Sequence, residues 1–237
     1  AFLFGSRSSV VSDTPRLMKH CADWGMEVHA GDRNAGTASK TQVLFVAAPG
    51  SLYKDPATWD DTDLSDIELG DGRFIPVTSD FKHLGSMVCR NCRDELDVDA
   101  RLKAASAAFG ALKRCVVALK TITARAKRAV YVGLILAILL HGAESWCLTE
   151  DVYNRLRRFH AQSVRAMCRV TLQHSWKHKI STSALLSRLN LETIDTYISR
   201  RQLRWAGHVA RMPMYRLPRK MLSSWCRSKR PVGSPQM

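Results

Sequence analysis

The run from Ala129 to Leu140 is apolar on every helical face, and a helix of that kind has to be surrounded by other helices. Its 12 residues fall well short of the roughly 20 that cross a bilayer, so it predicts the middle of a folded core, with no membrane partner. The 237-residue chain suits one or two domains, and a hydrophobic fraction of 46% excludes disorder throughout. The opening residues lack the apolar core of a cleavable signal peptide. The start at Ala1, without an initiator Met, suggests a piece of something longer. Seven scattered Cys, an odd number, argue for reduced thiols and an intracellular location, nuclear or cytoplasmic.

Charge divides the chain in two. Residues 1–80 hold 7 basic and 12 acidic residues, a balance of −5, whereas 81–237 hold 29 and 9, a balance of +20. Such an excess calls for a polyanionic partner, nucleic acid before membrane, unless it serves only solubility. The arrangement of the basic residues decides.

The rear reads as helices. From Asp94 to about Lys120, Val98, Leu102, Ala105, Phe109, Leu112, Val116 and Leu119 follow steps of four and three, with acids at the start and bases near the end. Thr123 to about Gly142 opens with Arg125, Lys127 and Arg128, whose charge opposes the helix dipole and would be relieved by a phosphate. A third helix follows Thr149 as N-cap, with Val152, Leu156, Phe159, Ser163 and Met167 on its apolar face. Arg155, Arg158, Arg165 and Arg169 fall in an arc of about 80° on the other side. In the last helix, from about Glu192 to Ala210, Arg200, Arg201, Arg204, His208 and Arg211 share an arc of about 100°, beside Ile194, Ile198, Trp205 and Val209. Neither stripe shows a carboxylate nearby, which favours phosphate contact by the arginine forks.

The front is less regular. Ser12-Asp-Thr-Pro15 reads as a helix start, with Leu17, Cys21 and Trp24 on the apolar face as far as Gly25. Met26 to His29 and Thr41 to Ala47 are strand candidates joined by a Gly and Asn turn. Residues 49–73, rich in Asp, Gly and Pro, read as an exposed acidic loop, and Phe74 to Val77 and Phe81 to Val88 as further strands. The fold class is α+β: 1–93 small, with short antiparallel strands, 94–227 a basic helical bundle, and 228–237 a loose tail.

Six segments, in order, resemble reverse transcriptases of non-LTR retrotransposons over about residues 12–225. They are Cys21-Ala-Asp-Trp-Gly-Met-Glu-Val-His29, Ser39-Lys-Thr-Gln-Val-Leu-Phe45, Phe81-Lys-His-Leu-Gly85, Ala107-Ala-Phe-Gly-Ala-Leu112, Leu139-Leu-His-Gly-Ala-Glu-Ser-Trp146 and Arg200-Arg-Gln-Leu-Arg-Trp-Ala-Gly-His-Val-Ala-Arg-Met-Pro213. The resemblance implies the downstream part of an RNA-directed DNA polymerase. Trp24-Gly25 and Ser39-Lys-Thr41 resemble palm motif D, with Lys40 near the incoming nucleotide's phosphates. Phe81, Lys82, His83, Leu84 and Gly85 resemble the motif E primer grip, His83 standing where the family more often has Tyr. The later helices would be thumb and connection, tracking the template–primer duplex. The missing fingers and palm portion of the parent would be a further partner.

The resemblance implies two Mg²⁺ ions in the complete parent enzyme, held by palm carboxylates that include an Ala-Asp-Asp turn just before motif D. Residues 1–12 contain no acid, and Asp60-Asp61 lie far downstream in a polar loop. The chain alone is therefore expected to hold no cofactor and to be inactive. Cys89-x-x-Cys92 lacks a second Cys pair for structural zinc. Cys168, His174 and His178, with His160 near, leave zinc open against a loop whose His174, Trp176 and His178 touch nucleic acid or pack. The expected role is binding of template–primer duplex through basic helices, with about five phosphate contacts and a slope of log K against log salt of roughly −4 to −5. The rivals are a helical scaffold whose basic faces meet acidic proteins, and a non-functional pseudogene product.

Overall fold

The computed structural model describes residues 5–46 and 65–223. Asp60-Asp61 and the tail from Ser228 lie outside them. The chain divides into two compact units, Ala1–Ala100 and Arg101–Met237. The class is α+β, as the sequence predicts: a helix and short strands in the first unit, helices in the second.

In the first unit, α1 spans Arg7–Asp23, begun by Ser6, whose hydroxyl accepts from the Ser9 amide. It therefore starts before the predicted Ser12 and keeps Pro15 inside. Proline usually breaks a helix interior because it lacks the N–H and crowds the carbonyl four residues back. Here Thr14 Oγ1 donates to the Val10 carbonyl at 2.6 Å, and Val10 is anchored in a small core with Ile67 and Ile75. Leu17 and Cys21 are half-buried and Trp24 is exposed, so the inward face lies nearer Val10 and Thr14.

The strands are β1 (Gly31–Asp32), β2 (Val43–Leu44), β3 (Ile67–Gly70), β4 (Arg73–Ile75), β5 (Val77–Thr78), β6 (Asp80–His83) and β7 (Ser86–Cys89). Met26 to His29 is not a strand, and of the Thr41 to Ala47 candidate Val43–Leu44 forms β2. Strands β1 and β3 flank β4 antiparallel, while β2 runs parallel to β5. Gly31 permits the β1–β4 approach, because a Cβ there would meet the Phe74 ring at 2.7 Å. The predicted loop at 49–73 is also corrected at its end. Residues 49–64 lie outside the described part, but 67–70 form β3, with Ile67 buried and Asp71-Gly72 turning the chain at positive φ. Phe81 to Val88 does form a hairpin, β6 on β7, with Phe81 opposite Val88 and His83 opposite Ser86. Its two-residue tip, Leu84-Gly85, has φ of 49° and 95°, the left-handed pair that matches strand twist.

Helix α2 (Glu95–Leu112) carries the predicted seam as far as Leu112, with Val98 and Ala105 fully buried. A π-helical turn, Lys113–Val117, then replaces α geometry. Wider turns rotate less per residue, so the buried side moves from the expected Val116 to Val117, and Leu119 is exposed. The second unit continues with α3 (Ala124–Val130), a π segment Tyr131–Ile135, and α4 (Leu136–Leu139) in one rod capped by Thr123. The rod is not enclosed on every side. Tyr131, Ile135, Leu136, Leu139 and Leu140 are buried, whereas Leu134 is 44% exposed. Around it come α5 (Glu150–Cys168), α6 (Leu172–Lys177), α7 (Thr182–Leu189), α8 (Ile194–Ala210) and α9 (Leu217–Ser223). No helix among the described residues is long and apolar enough to cross a membrane.

Candidate nucleic-acid interface

Helix α8 begins at Thr193, whose hydroxyl accepts from the Thr196 amide, with Asp195 in its first turn to complement the dipole. Ile194, Ile198 and Val209 bury its inner face. The Gln202 amide donates to the Trp146 carbonyl at 2.8 Å and fixes its rotation. That leaves the predicted stripe outward. Arg200, Arg201, Arg204, His208 and Arg211 line one open groove of about 620 Å³ with Tyr197, Trp205 and Glu144.

The five basic side chains are not equivalent. Arg201 is half-buried and donates both to the Leu140 carbonyl and to Glu144, each at 3.1 Å. Arg200 is exposed and pairs with Glu192 at 2.6 Å. The expectation of a carboxylate-free stripe is thus corrected: Glu144 comes from a distant segment, which helical periodicity does not reach, and Glu192 from just before the cap of the helix, eight residues ahead of Arg200. Arg204, His208 and Arg211 are exposed. The Arg211 guanidinium lies 3.4 Å from where Gly207 would carry a Cβ. The Trp205 and His208 rings are 5.4 Å apart, and Trp205 is 45% exposed.

Helix α5 starts after Thr149 as predicted and buries Val152, Leu156, Ser163 and Met167, with His160 and Val164 in place of the half-buried Phe159. Arg158 is exposed, and Arg155 and Arg165 are half-buried. Arg169 leaves the stripe, because it caps the helix in left-handed conformation, φ 57° and ψ 36°. None of these four lines the α8 groove. On the rod, Arg125 is exposed and Arg128 half-buried. Lys127 corrects the expectation of a phosphate contact: it is 6% exposed and its Nζ donates to the Val117 carbonyl at 2.7 Å. A cation so placed serves the fold.

Arg157 escaped the sequence reading because it lies off the basic arc. Its Nε and Nη2 clasp Asp195 at 2.9 and 2.6 Å, and Nη1 reaches Glu150, tying α5 to the first turn of α8. These hydrogen bonds raise the guanidinium pKa and hold the Asp195 carboxyl below its usual value. His160, 3% exposed, meets the Tyr131 hydroxyl at Nδ1 (2.8 Å) and the Glu192 carbonyl at Nε2 (3.0 Å). A carbonyl only accepts, so Nε2 carries the proton and Nδ1 accepts from Tyr131. Burial pushes the His160 pKa down and that of Tyr131 up.

In the first unit, Lys40 and Lys82 are exposed. Phe81 and His83 stack at 5.9 Å on one face of the hairpin, and Leu84 at its tip is 87% exposed. The zinc candidates are dispersed. His174 and His178 lie together, 4.2 Å between rings, but Cys168 Sγ turns to the Leu185 carbonyl and His160 is engaged as above. Cys89 is buried and Cys92 exposed on the following turn. Among the described residues no three His, Cys, Asp or Glu converge for a metal. A Mg²⁺ pair therefore finds no fitting donor set there.

No protein-family model matches the chain, and no solved structure matches it. It is similar to a transposon-derived protein of Caenorhabditis elegans, 25% identical over 201 residues, covering 82% of this chain and 63% of that protein. It is also similar to a protein of Drosophila melanogaster named as an RNA-directed DNA polymerase from transposon BS, 32% identical over 92 residues, 38% of this chain and 10% of that one. The chain thus has transposon-derived relatives and spans less than two thirds of their length.

Proposed function

We propose that the chain is the part of a non-LTR retrotransposon reverse transcriptase downstream of the catalytic aspartates, and that it binds template–primer duplex without catalysing extension. The observation that carries this reading is the α8 groove, where Arg200, Arg204, His208 and Arg211 project together from one helix. Arginine forks match phosphate oxygens, and such contacts position a duplex without reading its bases. In this reading Lys40 belongs to a motif D remnant and the β6–β7 hairpin, with Phe81, Lys82, His83, Leu84 and Gly85, to a primer grip. Helices α2 to α9 are thumb and connection. Mg²⁺ and the carboxylates that hold it belong to the rest of the parent enzyme, which is also the chain's protein partner. Transposon-derived relatives favour this origin.

A second reading, a helical scaffold for acidic proteins, draws on Arg200 and Arg201, which already engage carboxylates. A salt-titrated binding assay separates the two. The proposed function expects duplex to bind with an affinity that falls steeply with salt, whatever its base sequence, and a polyglutamate chain to bind far more weakly. Tighter binding of polyglutamate would overturn it.

A further inference from the structure

Phosphate contacts leave one feature of the α8 groove unexplained. Trp205 stands among the arginines, lines the groove and keeps 45% of its surface open. An indole offers a large apolar body and an electron-rich face, and it is normally covered. In the groove lining it stands with cationic and polar side chains: Arg204 beside it in sequence, Arg201 one turn back, and His208 with its ring 5.4 Å away. Glu144, the one acid in the lining, is bonded to Arg201, so it repels an anion less than an unpaired carboxylate would.

We infer that the groove takes an unpaired base from a single-stranded segment flanking the duplex, stacked on Trp205, with the adjoining phosphates on Arg204 and Arg211. The inference rests on the reading of α8 as a nucleic-acid face and adds the class of nucleic acid it prefers. Inside a duplex both faces of every base are already stacked, so a blunt duplex offers this helix only its backbone. An unpaired base offers a π-face, and a cationic groove floored by an aromatic is how single strands are held without sequence preference. A groove of about 620 Å³ lies within the size range of pockets that enclose small ligands.

The test compares a blunt duplex with the same duplex carrying a short oligothymidylate extension, on wild type, Trp205→Ala and Trp205→Phe. The extension is expected to tighten wild-type binding by about 5- to 150-fold, from one stacked base. Trp205→Ala loses that advantage and keeps the salt slope on blunt duplex, whereas Trp205→Phe keeps most of it. Indole emission of wild type is quenched by the extended duplex, and Trp205→Phe binds without that part of the quench. The inference is overturned if the extension brings no gain, if Trp205→Ala retains the gain, or if the quench survives in Trp205→Phe. If blunt duplex is not bound even at low salt, the reading of the basic face fails. If it is bound equally with and without the extension, only the stacking site fails.

Discussion

Replacing Arg204 and Arg211 together with Gln separates binding from folding on α8. Both are exposed, and neither is buttressed like Arg201, which holds the Leu140 carbonyl and Glu144. The groove presents three exposed arginines, Arg200, Arg204 and Arg211, fewer than the roughly five contacts expected from the two stripes together. At about −0.9 per phosphate, three contacts imply a slope near −2.7, so a rise from about 50 to about 200 mM salt weakens binding about 40-fold. With one contact left the slope is about −0.9 and the same rise costs about 3.5-fold. Fluorescence anisotropy of a labelled duplex at several salt concentrations measures both slopes, and thermal melts check that the fold is intact. An unchanged slope in a folded double variant would refute the assignment of α8 as a phosphate-contacting face.

Changing Lys127 to Met should leave that slope unchanged but destabilise the helical unit by about 1–3 kcal/mol in urea titration, because the Val117 carbonyl loses its buried donor. A flattened slope would restore Lys127 to the interface. Tyr131→Phe removes the hydroxyl that donates to His160 and should likewise cost about 1–3 kcal/mol; a loss below about 0.5 would show the bond to be dispensable. The imidazole of His160 titrates below its ordinary 6.5 in the folded chain, so the unfolded chain takes up its proton first. Stability from this group is full above about 6.5 and is lost as pH falls through that value toward the folded pKa. The urea midpoint should drop between pH 7.5 and 5, and less so in His160→Gln; parallel profiles would refute it.

Periodicity found what repeats along one element. Most of the apolar faces of α5 and α8, the α2 seam as far as Leu112 and the α8 stripe follow from spacing, with Phe159 and Trp205 as the exceptions. What it missed depends on other segments or on departures from ideal geometry. The π turn at Lys113–Val117 moves burial by one residue, and nothing in Lys-Arg-Cys-Val-Val announces it. The left-handed cap at Arg169 removes that side chain from its arc. Glu144 reaches Arg201 from another part of the chain, Glu192 meets Arg200 from just before the cap of α8, and Lys127 is drawn inward by a carbonyl ten residues back. In the front half β3 was hidden because Ile67 and Leu69 are few apolar residues in an acidic stretch, and no local rule says that β4 lies between β1 and β3. Ser12-Asp-Thr-Pro15 has the residue types of a helix start, but the chain is already helical there, capped six residues earlier by Ser6.

Helix α8 closes the hydrophobic interior with Ile194, Ile198 and Val209 while its outer side offers the arginines. A nucleic acid seated there would therefore act as an external splint on the wall of the core, opposing any opening that lifts the helix. At a concentration about a hundredfold above its dissociation constant such a ligand adds about 2.7 kcal/mol to the stability of the bound form. Polyanion-rich surroundings would then set how long the helical unit survives proteolysis as well as how often it is occupied.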